Sequence, residues 1–365
     1  MKKIAIIGAG GMAHYHIKGF RTAGADVVAI IDLNQTLASQ FATQYHLPHF
    51  FQNIQDCCDM YPDLDGVSIA VPNAFHKKIV IDALERRLAV FCEKPPALNA
   101  EEMIEIESVY RKSGKLLLFD FNNRAREETQ ILKQYIDADG SFLMNSAQAY
   151  WIRRNGIPGF GGWFTNKKLS GGGPAIDLLH MLDLSLYLMH YPTPKVIMAS
   201  SHDDFMGNTA FKGPWGIADN SKGINDVESS IQAFITFDNG ASLMIRNSWA
   251  ELIEKEKAGV CFQGNHFGGL MERTFKIDGI DETSHDCCQL FTYENNHQVD
   301  KDIHFIPDFA MGREASAANF IESLEGKTEP LNTPEEAVQL MRIVDAMYES
   351  AKTGLPVIME RKENE

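Results

Sequence analysis

Residues 3–13, Lys3-Ile4-Ala5-Ile6-Ile7-Gly8-Ala9-Gly10-Gly11-Met12-Ala13, set the reading of everything that follows them. Ile4 to Ile7 is an apolar run of the length of a buried strand, and it passes directly into a Gly-x-Gly-x-x-Ala turn. Gly8 permits a tight turn, Gly10 and Gly11 let backbone approach a pyrophosphate, and a helix opening at Met12-Ala13 offers unpaired N–H groups and partial positive charge to an anion. In this strand-turn-helix context the pattern reads as a dinucleotide-binding fingerprint; a glycine-rich turn without a ligand is the competing reading. Asp32 closes a second apolar run, Val27 to Ile31, 24 residues after Gly8. A carboxylate there accepts both ribose hydroxyls and repels a 2′-phosphate, and no Lys or Arg occurs between Asp32 and His46. NAD is therefore expected rather than NADP.

The apolar runs Gly66 to Val71, Val90 to Cys92 and Leu116 to Phe121 continue the alternation of strands with helical stretches. One of those stretches is punctuated by Asn99 as N-cap, Glu102 at its third position and Gly114 at its end. The pattern predicts an α/β domain, a doubly wound parallel sheet of the Rossmann kind, over residues 1–123. From about Arg124 the pattern changes to one helix after Gly171-Gly172-Gly173 and then long segments of period-two alternation. Ile231, Ala233, Ile235 and Phe237 lead to Asp238-Asn239-Gly240, which suits a tight hairpin, and the alternation resumes at Leu243 and Ile245. An α+β substrate and oligomerisation domain with a large, mostly antiparallel open sheet is predicted over 124–332. Within it, residues 203–226 read as a long loop, a lid or a subunit contact. A last helix is capped by Thr333, Pro334 and Glu336 and ended by Gly354, with a stripe of Val338, Met341, Val344 and Met347/Tyr348 expected to pack back on the first domain; residues 333–365 form this helix and tail.

Composition narrows the class. At 365 residues two domains are expected, and 44% hydrophobic with 23% charged residues excludes disordered and low-complexity classes. Lys and Arg number 34 against 49 Asp and Glu, a net charge of −15 with no basic tract, which disfavours nucleic acid and anionic membrane surfaces as partners. Lys2-Lys3 before Ile4 has the start of a secretion signal, but the apolar run stops at Gly8, and no long apolar stretch follows, so a cytoplasmic protein is expected. Six cysteines without CxxC spacing fit reduced thiols. His14 and His16 have a spacing that can serve a metal, yet no acidic or Cys ligand lies near them in sequence, and no metal site is expected.

Val71-Pro72-Asn73-Ala74-Phe75-His76 and Phe91-Cys92-Glu93-Lys94-Pro95-Pro96 each end a strand at its carboxyl edge, where doubly wound sheets bind ligands. A lysine on that proline-stiffened turn is either a salt-bridged surface residue or a working amine, and position leaves both open. Trp151-Ile152-Arg153-Arg154 and Gly161-Gly162-Trp163-Phe164 precede the glycine triplet. Arginine can clamp a carboxylate or sugar hydroxyl and an aromatic face can stack on a sugar, against the plainer reading of an exposed Arg pair and two core tryptophans. Arg124, after Asn122-Asn123, has the same standing.

Together these segments resemble the Gfo/Idh/MocA oxidoreductases (glucose-fructose oxidoreductase, inositol dehydrogenase, rhizopine catabolism). The likeness runs through the GxGxxA turn with His16, Asp32, Pro72-Asn73-x-x-His76, Glu93-Lys94-Pro95, the segment Gly171 to His180, the hairpin before Trp249 and the C-terminal helix. It implies that Lys94 lies beside the nicotinamide and the substrate hydroxyl, with Asp177 and His180 completing a proton relay. It further implies NAD contacts at Gly8, Gly10, Gly11, Met12, Asp32, Asn73, His76, Glu93, Lys94, Pro95 and Trp163, and substrate contacts at Arg124, Trp151, Arg153 and Arg154. Many members separate the Asp and His by four residues; here the spacing is three, and positions i and i+3 of one helix still share a face. The implied activity is hydride transfer between a secondary hydroxyl of a sugar, sugar derivative or cyclitol and NAD. The family also contains NAD-dependent glycosidases, which complete their cycle without net redox change, and non-enzymatic NAD-binding regulators. The open sheet predicts a homo-oligomer, a dimer or tetramer.

Overall fold

The computed structural model describes residues 1–277, 279–280 and 282–359, and the chain divides into two units, Met1–Arg126 with Ala310–Met341 and Glu127–Phe309 with Arg342–Glu365. The first unit holds a six-stranded sheet: β1 (Lys3–Ile7), β2 (Asp26–Ile31), β3 (His49–Phe51), β4 (Gly66–Ile69), β5 (Ala89–Cys92) and β6 (Leu117–Phe119). Its order is β3-β2-β1-β4-β5-β6 and every pairing is parallel. The strand order reverses between β1 and β4, which makes the carboxyl ends of these two strands the switch point where such sheets take ligands. Three-residue β3, with Phe50 exposed, carries no apolar run for sequence reading to find. The helix Ala100–Ser113 is capped as its sequence predicts, the Asn99 side chain accepting the Glu102 N–H at 2.9 Å and Gly114 closing it at φ 63°.

The segment 310–341, whose first part the sequence reading assigns to the second domain, contributes the helix Arg313–Leu324 to the first unit. It lies so close to the helix Ala13–Thr22 that a Cβ on Gly19 would stand 2.5 Å from the Glu314 carbonyl oxygen. Phe20, Phe91 and Phe320 meet beneath them with ring centroids 5.6 to 6.1 Å apart. Burial of three such rings is worth roughly 1.5–3 kcal/mol each, which ties the late helix to the early sheet.

The second unit contains β7 (Met144–Ile152), β8 (Pro194–His202), β9 (Ser230–Phe237), β10 (Ser242–Ser248), β11 (Lys257–Gly264), β12 (Gly268–Phe275), β13 (Thr283–Glu294), β14 (His297–Asp302) and β15 (Val357–Ile358). They form one sheet in the order β14-β13-β12-β11-β7-β10-β9-β8-β15, antiparallel throughout except for the parallel pair β7 and β10. The β9–β10 hairpin turns through three residues: the Phe237 N–H donates to Ala241 at 2.9 Å, and only Gly240 takes a left-handed φ, 86°. The sequence reading allows one helix at the front of this unit, whereas the structure also has Glu127–Ala138. Of its buried residues, Glu128, Thr129, Leu132 and Ile136, two are polar, so its apolar signal is weak. The last helix, Pro334–Thr353, has the predicted capping box, with Thr333 Oγ1 accepting the Glu336 N–H at 3.3 Å and Glu336 accepting the Thr333 N–H at 3.2 Å. It begins in the first unit and ends in the second. Among the described residues no helix is long and apolar enough to cross a membrane, and all six cysteines are free.

Candidate active site

The turn after β1 shows which glycines the protein itself requires. Gly8 has φ 99°, and a Cβ there would stand 2.3 Å from the Ala70 carbonyl oxygen. A Cβ on Gly10 would find its nearest neighbour at 3.8 Å and one on Gly11 none within 4 Å, so packing within the chain does not account for these two. The bare backbone there leaves room for close approach of a pyrophosphate, and in this respect the turn fits NAD. Asp32, at the end of β2, is fixed by the backbone on both oxygens: Ala9 N–H donates to Oδ2 at 2.8 Å and Asn34 N–H to Oδ1 at 2.7 Å. A carboxylate offers about four lone-pair sites, so acceptor capacity for ribose hydroxyls is left over.

The next two strand ends are tied to each other. His76 lies with its ring nitrogens 2.7 Å from the Pro95 carbonyl oxygen and 2.9 Å from that of Val71, and burial pushes its pKa down. Asn73 is buried in the same turn. Glu93, also buried, lies 3.0 Å from Nε2 of His16 and accepts the Lys94 backbone N–H at 3.2 Å. Lys94 is half-buried at the carboxyl end of β5, followed by a cis bond to Pro95. The strand order therefore lines up the ends of β2, β1, β4 and β5, and with them Asp32, the glycine turn with Met12, Asn73 and His76, and Glu93-Lys94-Pro95.

One expectation fails in this unit. Arg124 has a fully buried side chain whose guanidinium donates to Glu336 at 2.6 Å and to the Leu331 carbonyl at 2.8 Å; it braces the start of the last helix, and the substrate role read for it is withdrawn. His14 and His16 diverge, because positions i and i+2 of a helix face different sides. His14 faces the Tyr45 hydroxyl at 2.7 Å, while His16 points into the core toward Glu93 and Asp120, carboxylates that sequence proximity could not reveal.

In the second unit the glycine triplet has a separate reason at each position. Gly171 takes φ 87° as it ends the short helix Lys167–Ser170. A Cβ on Gly172 would fall 1.8 Å from the Tyr348 hydroxyl, and one on Gly173 2.3 Å from the Glu228 carbonyl oxygen. The buried Glu228 carboxylate accepts the N–H groups of Gly173 and Ala175, both at 3.1 Å, and the Tyr348 hydroxyl at 2.8 Å; burial pushes its pKa up. Pro174–Asp177 then makes a single helical turn, which Leu178, at φ −100° and ψ 21°, breaks before the helix His180–Leu188 begins. Asp177 and His180 thus stand on two successive helical pieces, and the expectation of a shared helix face is corrected. The Leu178 carbonyl freed by the break accepts Asn247 Nδ2 at 3.0 Å.

Asp177 is oriented from behind. Its Oδ2 accepts the Trp249 indole N–H at 2.8 Å, and the Arg153 guanidinium donates to it at 3.4 Å. Arg153 is buried between the rings of Trp151 and Trp215, 5.1 and 4.7 Å from their centroids, and donates to Glu256 at 2.9 Å. Glu256 also accepts the Trp151 indole N–H at 2.7 Å, and the Trp151 ring lies 6.0 Å from that of His180. Trp163 stacks on Phe164 at 3.7 Å, and exposed Arg154 donates to the Glu254 carbonyl at 3.2 Å. Sequence reading misses Glu228, Asn247, Trp215 and Glu256, and takes Tyr348, whose hydroxyl donates to Glu228, as part of an apolar stripe. One signal was present: Leu243, Ile245, Asn247 and Trp249 continue the inward alternation of β10, so Asn247 is a polar residue on a buried apolar face.

A parallel sheet of this order with a glycine turn and a strand-end carboxylate, in one chain with an antiparallel unit carrying Asp177 and His180, defines a dinucleotide-dependent oxidoreductase. The chain belongs to the Gfo/Idh/MocA oxidoreductase family: the family's NAD-binding Rossmann domain matches residues 2–121 and its C-terminal alpha/beta domain residues 140–359. It is similar to D-glucoside 3-dehydrogenase of Escherichia coli (strain K12), with 32% identity over 97% of both chains. Glucose-6-phosphate 3-dehydrogenase of Bacillus subtilis (strain 168) is 34% identical over 37% of this chain and 38% of its own. Among solved structures, levoglucosan dehydrogenase in complex with NADH and levoglucosan shares the fold at a TM-score of 0.82 and 19% identity, covering 99% of this chain and 100% of that one.

Proposed function

We propose that the protein oxidises a secondary ring hydroxyl of a D-glucoside, at C3, with NAD as hydride acceptor. The observation that carries this reading is the likeness to D-glucoside 3-dehydrogenase along nearly the full length of both chains, with Lys94, Asp177 and His180 all present. A second, partial relative named for oxidation at the same ring position supports it. Bound NAD supplies the acceptor for the hydride leaving the carbinol carbon. The chain's residues do the rest. Asp32 takes the ribose hydroxyls, Gly8, Gly10, Gly11 and Met12 the pyrophosphate, and Asn73, His76, Glu93, Pro95 and Trp163 border the cofactor. Lys94 or His180 removes the hydroxyl proton as the carbon–oxygen bond becomes a carbonyl, and Asp177, held by Trp249 and Arg153, orients His180 and stabilises its charged form. Free thiols and an acidic surface suit a reducing, NAD-containing cytoplasm, and the open face of the second sheet suits a homo-oligomer.

The test is NADH formation over a panel of methyl glucosides, free sugars, inositols and sugar acids, with the oxidised carbon located by borodeuteride trapping and NMR. A 3-keto glucoside with stoichiometric NADH is expected. Release of the aglycone from an aryl glycoside without net NADH would identify a glycosidase instead, and NAD binding without turnover of any member would leave a regulator. Titration calorimetry with NAD and NADP tests Asp32; tighter binding of NADP sinks that assignment.

A further inference from the structure

Beneath the Lys94 turn lies a cluster of which the dehydrogenase reading uses only Glu93. The His16 imidazole, fully buried, has Nδ1 2.7 Å from Ser68 Oγ and Nε2 3.0 Å from Glu93 and 3.5 Å from Asp120. These groups come from the first turns of a helix, the end of β5, the residue after β6 and the middle of β4, and all are buried. Around them are the ring edges of Phe91 and Phe20, with centroids 5.0 and 6.2 Å from the imidazole. A lone carboxylate or imidazolium in such surroundings is costly; placing a cation between two carboxylates offsets part of that cost, and removing one partner exposes it again. The free oxygen of Glu93 accepts the Lys94 backbone N–H.

We propose that Asp120 and His16 are positioning residues for Lys94 and act through Glu93. This rests on the reading that Lys94 handles the substrate's proton. Asp120 keeps His16 an imidazolium, the imidazolium pins one oxygen of Glu93, and the other oxygen fixes the backbone from which the Lys94 side chain springs. The two carboxylates hold His16 at about 9 in spite of burial, while Glu93 is pushed down by His16, Lys94 and Arg313, and Asp120 is pushed up by burial and by Glu93. The remaining titratable groups facing the cluster are Cys92, driven well above its ordinary value, and neutral-leaning His76.

The test is the pH profile of kcat, with NAD affinity and melting temperature measured in parallel, for wild type, Asp120→Asn, Asp120→Glu, Ser68→Ala and Lys94→Ala. Wild type should lose activity as pH rises through about 9, where His16 releases Glu93. Asp120→Asn should bring that alkaline limb down by a unit or more and lower kcat roughly tenfold or beyond, with NAD affinity within about threefold; Asp120→Glu should restore much of both. Should Asp120→Asn not fold, Ser68→Ala should still move the limb the same way by less. A limb unmoved in every variant that folds overturns the proposal, as does a stoichiometric divalent ion in the purified protein whose removal abolishes turnover. Lys94→Ala within tenfold of wild type would instead defeat the Lys94 reading, independently of how the limb behaves.

Discussion

Lys94→Ala is expected to leave NAD affinity nearly intact, because in the proposed reading the glycine turn and Asp32 hold the pyrophosphate and ribose. Turnover should fall by ~10²–10⁴-fold, the usual contribution of a positioned acid or base. Single-turnover NADH formation at saturating cofactor and substrate measures it, and an exposed ion-pair lysine would cost only about 0–1 kcal/mol on removal. The places of the candidate residues were the most legible part of the sequence, since Asp32, Lys94 and Asp177 each follow a local strand or glycine signal and stand where that signal puts them. Their supports were not. Trp249 and Arg153 reach Asp177 from far along the chain, and Asp120 reaches His16 from the end of another strand, so only folding brings them together. Where local pattern and remote contact competed, as at Arg124, the contact won: a buried guanidinium must find a carboxylate, and Glu336 supplies it.

The glycine triplet makes a sharper prediction because its neighbours differ in kind. Gly172→Ala meets the end of the Tyr348 side chain, whereas Gly173→Ala meets the backbone of Glu228. Each should cost about 1–3 kcal/mol, typical of overpacking. In a Tyr348→Ala background the cost of Gly172→Ala should shrink while that of Gly173→Ala stays, and denaturant midpoints of the four-member cycles give the coupling directly. Equal coupling in both cycles would show that the triplet is stiff for some reason other than these contacts. Helices and strands themselves were legible in proportion to their amphipathic stripe. The capped helices at Asn99 and Thr333 stand where sequence puts them, while the polar helix Glu127–Ala138 and the short strand His49–Phe51 carried too little pattern. The break at Leu178 left no mark in sequence because leucine is an ordinary helix former; the acceptor vacated there is met by Asn247, a remote residue.

In the antiparallel sheet, Met198, Phe234 and Met244 lie directly opposite one another on β8, β9 and β10 and are 42, 46 and 51% exposed. Light scattering should give a multiple of 40.8 kDa, and Phe234→Glu should shift it toward that single-chain mass without loss of NAD binding. Stability should also depend on pH through His16. Its folded pKa, about 9, lies above the ordinary value near 6.5, so the pairing stabilises fully below about 6.5 and is lost as pH rises through about 9. Melting temperatures between those limits should fall in wild type and be flatter in Asp120→Asn.

The interleaving of the two units has a temporal side. The six-stranded sheet is complete once Phe119 has been made, yet the helix Arg313–Leu324 that covers Phe20 and Phe91 is synthesised only after Glu127–Phe309, the long stretch of the second unit, has been spelled out. At ~5–20 residues per second the nascent sheet waits on the order of 10–40 s with that aromatic flank bare. A chain growing from the ribosome therefore passes through a sticky adolescence that the finished protein conceals, and chaperone demand during synthesis should ease once Phe320 has emerged and docked.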